Sequence, residues 1–121
     1  VNPARPGPGT VLAREQELAV GQAKCLHFEG GEARFSLILI RLETGVAAYE
    51  NSCPHARFPL EKLNGEVIVQ EGRYVVCAAH GASFRAKDGA FVAGPGDGRG
   101  LQPFPIAVED GLIIVGQPPP P

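Results

Sequence analysis

Apolar and polar residues alternate over short runs along this chain, and the runs end at glycine-containing pairs instead of continuing at helical spacing. Ala23 to Phe28, Arg34 to Leu42, Val46 to Glu50, Glu66 to Gln70, Arg73 to Val76, Ala82 to Arg85, Phe104 to Glu109 and Leu112 to Val115 are rich in Val, Ile, Leu, Phe and Tyr. Such side chains suit a half-buried pleated surface, so each run is expected to be a strand. Between runs stand Gly30-Gly31, Thr44-Gly45, Glu71-Gly72, Asp88-Gly89 and Asp110-Gly111. Glycine tolerates the positive φ of a tight type I′ turn, which makes Asp-Gly between apolar runs a hairpin signal. No stretch keeps a helical period for three turns, and Leu60 to Leu63 is expected to supply one short turn at most. The pattern predicts an all-β domain, an antiparallel β-sandwich or small barrel built of hairpins.

A length of 121 residues suits one domain with a single core. Residues 1–9 and 117–121 are dominated by Pro and Gly, so a flexible N-terminal segment and a Pro-rich tail are expected around a folded domain of residues 10–116. Net charge is -2 and the eleven Lys and Arg are scattered, which argues against a nucleic-acid groove. The aliphatic run Leu37-Ile38-Leu39-Ile40 falls far short of the ~20 residues that cross a bilayer, and Val1-Asn2-Pro3 has no signal pattern. The expectation is a soluble, cytoplasmic protein that does not engage a membrane.

Three cysteines do not make a disulfide framework, so metal binding or plain burial is the better reading. Two of them stand beside histidines, in Cys53-Pro54-His55 and Cys77-Ala78-Ala79-His80-Gly81. Thiolate and imidazole bind iron and zinc well, and each pair lies on turn-like sequence: Pro54 stiffens the first, while Pro59 and Gly81 interrupt regular structure beside them. Residues 56–76 between the pairs have room for a strand, the Glu71-Gly72 turn and a return strand, which would bring all four side chains to one end of a hairpin unit. Cys25-Leu26-His27 also spells Cys-x-His, but inside a strand run. Alternation puts both on one face, where a buried thiol and a satisfied or exposed histidine are expected, not ligands. Residues 94–100 carry four glycines yet lack the Lys and following helix of a phosphate-cradling loop.

Cys-x-His followed by Cys-x-x-His in an all-β chain resembles the Rieske iron-sulfur family. The likeness continues through Phe84, Asp88-Gly89, Gly94-Pro95-Gly96 and the run Val108 to Val115. It implies a Rieske-like fold with a cluster-binding loop subdomain and a 2Fe-2S cluster, with Cys53 and Cys77 on the inner iron and His55 and His80 on the outer one. It also implies that Gly94 to Gly96 covers one side of the cluster, where the plain reading is an ordinary turn. Arg57 and Phe58 would lie near the tip, either docking a partner or covering the core. The gap of 21 residues between His55 and Cys77 is longer than the family's usual spacing, which suggests an enlarged hairpin at Leu60 to Gly72.

Members of high potential resemble one another in a further cysteine after each ligand pair and in Ser and Tyr hydroxyls that donate to the cluster. Here no cysteine lies in 56–60 or 78–84, and the matching hydroxyl positions are Ala82 and Phe84. Fewer donors leave the reduced state less stabilised, so a potential at the low end of the Rieske range of about -150 to +300 mV is expected. An oxygenase needs a further mononuclear iron held by two His and a carboxylate, and once His55 and His80 are assigned only His27 remains. The resemblance therefore implies no enzyme in this chain but a monomeric electron carrier, taking electrons from a flavin-dependent reductase to a terminal oxygenase. The alternatives are a small Rieske subunit of a nitrite-reductase-like or other oxidoreductase complex and, further off, a zinc-stabilised interaction domain.

Overall fold

A computed structural model describes residues 2–54, 59–96 and 98–117, among which ten strands form three antiparallel sheets. The first sheet orders β1 (Val11–Arg14), β10 (Leu112–Val115) and β9 (Ile106–Glu109). The second orders β2 (Ala23–Gly30), β3 (Ala33–Leu42) and β4 (Gly45–Glu50). The third is a meander of β5 (Ile68–Gln70), β6 (Tyr74–Val76), β7 (Ser83–Arg85) and β8 (Phe91–Ala93).

The unbroken run Leu37-Ile38-Leu39-Ile40 explains how the sheets combine. All four residues are fully buried. Strand alternation sends Ile38 and Ile40 into one core, with Tyr49, Cys53, Leu60, Val75, Cys77 and Phe84. Leu37 and Leu39 enter a second core with Ala13, Leu18, Phe104 and Ile113. A strand covered on both faces reads as continuous hydrophobicity instead of alternation. The β2-β3-β4 sheet is thus shared by both cores, and the first of them holds the two cysteines of the ligand pairs.

Turn chemistry follows the sequence closely. Asp110 and Gly111 both have positive φ, 51° and 76°, and join β9 to β10 in register Glu109↔Leu112, as a type I′ connection requires. Glu71 and Gly72, at 55° and 65°, turn β5 back onto β6. The expected strand at Glu66 begins at Ile68, and β1 and β8 are additional. The expected enlarged hairpin needs correction. Only β5 and β6 pair there, while residues 60–67 form no strand and no helical turn. Lys62 and Gly65 instead close this stretch through backbone bonds, Lys62 N–H to the Glu66 carbonyl at 2.7 Å and Gly65 N–H to the Lys62 carbonyl at 2.9 Å. The extra length is therefore a surface loop. No helix among the described residues is long and apolar enough to cross a membrane.

The opening segment lies against the second core. Ala4 is buried, and the Arg5 guanidinium sits 5.1 Å from the Phe35 ring centroid and 4.7 Å from that of Phe104.

One hydrogen bond of the first core and one surface pair beside it give measurable consequences. Tyr49 donates its hydroxyl to the Ala86 carbonyl at 2.6 Å, and burial, aided by the Asp88 charge, pushes its phenol up to about 12, so it stays a donor. Tyr49→Phe leaves that carbonyl unpaired and is expected to lower unfolding free energy by about 1–3 kcal/mol in denaturant titrations. Asp88, at the β7–β8 turn, accepts from Arg85 Nε at 3.0 Å and Nη2 at 2.7 Å and from the Ala90 amide at 3.0 Å. The Arg85 fork, then the amide, hold its carboxyl down from 3.8 to about 2. A depressed carboxylate contributes stability above its unfolded value and loses it as pH falls through its folded one. Asp88→Asn should therefore flatten the loss of stability between pH 3.8 and about 2. The effect is small because the pair is half-exposed, and an unchanged acid slope in the variant would refute the assignment.

Candidate metal centre

Cys53 and Cys77 reach one buried cluster from separate segments, the first three residues beyond β4 and the second directly after β6. Neither thiol is in a disulfide, and they are 0% and 1% exposed. The ladder of β6 and β7 continues past the strands, with the Cys77 amide donating to the Ala82 carbonyl at 2.8 Å and the Gly81 amide to the Cys77 carbonyl at 2.8 Å. Gly81, at φ 79°, lets the chain double back so tightly. His80 stands on this turn and is exposed, while Cys77 at its base is sealed in. The Ala78 amide donates to the Leu60 carbonyl at 3.1 Å, which ties the turn to the loop that follows the first pair.

A third segment touches both. A Cβ placed on Gly94 would lie 2.8 Å from the Ala82 Cα and 2.9 Å from the Gly81 carbonyl oxygen, so only a glycine backbone approaches the Cys77 turn this closely. Arg99 Nη2 donates to the Pro54 carbonyl at 3.1 Å, beside Cys53. Residues 94 and 99 thus link the stretch around Gly94-Pro95-Gly96 to the loops of both cysteines.

Of the side chains singled out from sequence, the described residues bring together Cys53 and Cys77, with His80 at the surface of the same turn. His55 lies outside the described residues, as do Arg57 and Phe58. Ala82 and Phe84 are buried in the same core, Phe84 edge-on to Phe91 at 6.0 Å, and neither side chain carries a hydroxyl.

Sequence reasoning did not find Asn51, whose buried amide organises the flank of this region. Its Oδ1 accepts from the Leu60 amide at 2.7 Å, and its Nδ2 donates to Ser36 Oγ at 2.9 Å, Cys25 Sγ at 3.2 Å and Glu61 Oε1 at 3.3 Å. Cys25 and His27 do share a face, Sγ to Nε2 3.4 Å, as alternation requires. Burial pushes the Cys25 thiol up to about 11, opposed by the Ser36 hydrogen bond and reinforced by the nearby Glu61 carboxylate. No local signal marks Asn51 or Glu61, because their meeting with β2 joins residues more than twenty positions apart.

The donor chemistry fits an iron-sulfide group: two buried thiols outside any disulfide would supply the anionic ligands such a cluster needs, and an imidazole stands at the solvent side of one thiol's turn. No curated protein matches the chain by sequence. Among solved structures, the ferredoxin of carbazole 1,9a-dioxygenase from Nocardioides aromaticivorans IC177 superposes with a TM-score of 0.71 at 20% identity, over 91% of this chain and 98% of that one. The Sphingomonas yanoikuyae B1 ferredoxin gives 0.66 at 23% identity, over 91% and 99%. The terminal oxygenase of the Nocardioides system gives 0.73 at 21%, over 98% of this chain but 32% of its own. These likenesses establish the fold that all four share. The family model for the Rieske [2Fe-2S] domain matches residues 8–106, most of the chain. A zinc-only reading gives way here: the chain belongs to the Rieske [2Fe-2S] domain family, whose cofactor is a cluster of two irons and two sulfides.

Proposed function

We propose that the protein is a soluble, monomeric one-electron carrier of low potential that passes electrons from a flavin-dependent reductase to a terminal oxygenase. Its working unit is residues 10–116, and Cys53, His55, Cys77 and His80 hold the cluster. The observation that carries this reading is the meeting of two sealed thiols from separate segments, one of which shares its turn with an exposed imidazole. Bound there, the cluster supplies exchange of one electron at a time. The chain's own residues do the rest. Cys53 and Cys77 anchor in the first core, where Leu60, Val75 and Phe84 keep water away, and His80 faces the surface that a partner would approach.

Three histidines in the chain leave only His27 beyond the proposed ligands, which is why we assign no catalytic iron and no enzyme activity of its own. Three cysteines without a disulfide suit the reducing cytoplasm.

The test is anaerobic mixing of the reduced protein with Rieske-type terminal oxygenases. A carrier loses its reduced-state paramagnetic resonance to the oxygenase within the turnover time. Failure to reduce any oxygenase, with co-purification at fixed stoichiometry beside another oxidoreductase, makes it a resident subunit instead. A redox titration near neutral pH should place the midpoint near the bottom of the Rieske range, about -150 mV, and a clearly positive value refutes the low-potential reading.

A further inference from the structure

On the solvent side of Asn51 three side chains of different ligand chemistry converge. Cys25 and His27 project from the same face of β2, and residue 61 arrives from the surface loop that follows the Cys53 segment. Cys25 Sγ lies 3.4 Å from His27 Nε2, which lies 3.3 Å from Glu61 Oε1, and all three ligand atoms fall within 4.8 Å of one another. Zinc bonds of about 2.3 Å to sulfur and 2.0–2.2 Å to nitrogen and oxygen, set at the tetrahedral angle, separate sulfur from nitrogen by about 3.6 Å and nitrogen from oxygen by about 3.4 Å. The two measured edges sit within a few tenths of an ångström of these values.

We propose that Cys25, His27 and Glu61 form a second metal site, specific for a zinc-like divalent cation and separate from the cluster ligands. Thiolate, imidazole and carboxylate together are a borderline-soft set that suits Zn²⁺ better than the oxygen-seeking Mg²⁺ or Ca²⁺. A thiolate and a carboxylate bring two negative charges to a dication, and the thiol proton leaves to solvent as the sulfur takes the metal. The supporting shell is already in place. Asn51 Nδ2 holds both Cys25 Sγ and Glu61 Oε1, and its Oδ1 is fixed by the Leu60 amide. The Glu61 side chain is 14% exposed while that of His27 is 61% exposed, so the open direction is at the imidazole. There a groove lined by His27, Pro59, Lys62 and Ala79 leaves room for a water or small ligand in the fourth position.

The experiment equilibrates the cluster-loaded protein with buffered micromolar Zn²⁺, removes free metal and counts zinc and iron together. The expected result is one zinc per chain added to an unchanged iron content, with X-ray absorption giving one sulfur neighbour at about 2.3 Å. Cys25→Ser and His27→Ala should each weaken zinc binding at least about tenfold with iron retained. His27→Ala removes an exposed side chain and keeps the test decisive if Cys25→Ser folds poorly. Zinc absent from the wild-type protein, zinc retained in both variants, or zinc gained only as iron is lost would each overturn the site. The iron count keeps this outcome distinct from failure of the carrier reading.

Discussion

His80→Cys is expected to lower the midpoint of the bound cluster by on the order of 100 mV while the irons are retained. Two ferric ions and two sulfides carry about +2 together, so two thiolates and two neutral imidazoles leave the oxidised centre near zero. A third thiolate shifts both redox states one charge more negative, and the electron must then join a centre that is already an anion. Exchanging both imidazoles for thiolates separates Rieske centres, at about -150 mV and above, from plant-type ferredoxins at roughly -400 mV, so one exchange accounts for about half of that interval. His80 is the right place to test it because its turn is exposed, and the new thiolate would be solvated instead of sealed in. Voltammetry on protein of verified iron and sulfide content makes the measurement. A midpoint unchanged from the wild type, with the cluster intact, removes His80 from the ligand set.

Much of the frame was legible because it depends on neighbours in sequence. The β10 strand carries the bounds expected for it, Leu112–Val115, since the Asp110-Gly111 turn fixes the register of everything after it. β1 and β8 were not legible. Val11–Arg14 carries a register shift between Val11 and Ala13, and Phe91–Ala93 is three residues long, too short to display alternation. The long gap between the ligand pairs suggests an enlarged hairpin, but length alone does not say whether the added residues pair, and residues 60–67 form a surface loop instead. At the site, motif spacing brings the segments of Cys53 and Cys77 together, whereas the reach of Arg99 to Pro54 and of Glu61 to His27 joins residues 45 and 34 positions apart. Nothing in a linear pattern encodes such meetings. They arise from how residues 51–54, 59–67, 94–96 and 98–100 are routed over the first core.

That routing makes Gly94 the backbone position most sensitive to substitution near the candidate centre. Gly94→Ala faces two separate penalties. Its φ of 97° lies where an L side chain is strained, at about 1–3 kcal/mol. Its new methyl would also meet the Ala82 Cα at 2.8 Å and the Gly81 carbonyl at 2.9 Å, and these are backbone atoms within the turn that carries Cys77 and His80. Those atoms are fixed by the bond from the Cys77 amide to the Ala82 carbonyl, so relief of the clash must move residue 94 away or deform the turn. A total loss of about 2–6 kcal/mol is expected, larger than strain alone would give, with faster release of iron on dilution into chelator. Gly98→Ala separates the two penalties, since its φ of 91° carries the same strain while nothing lies within 4 Å of the added methyl. It should lower stability by only about 1–3 kcal/mol and leave iron release unchanged. Equal losses in the two variants would mean that strain alone acts at Gly94 and that its approach to the Cys77 turn does not support the centre.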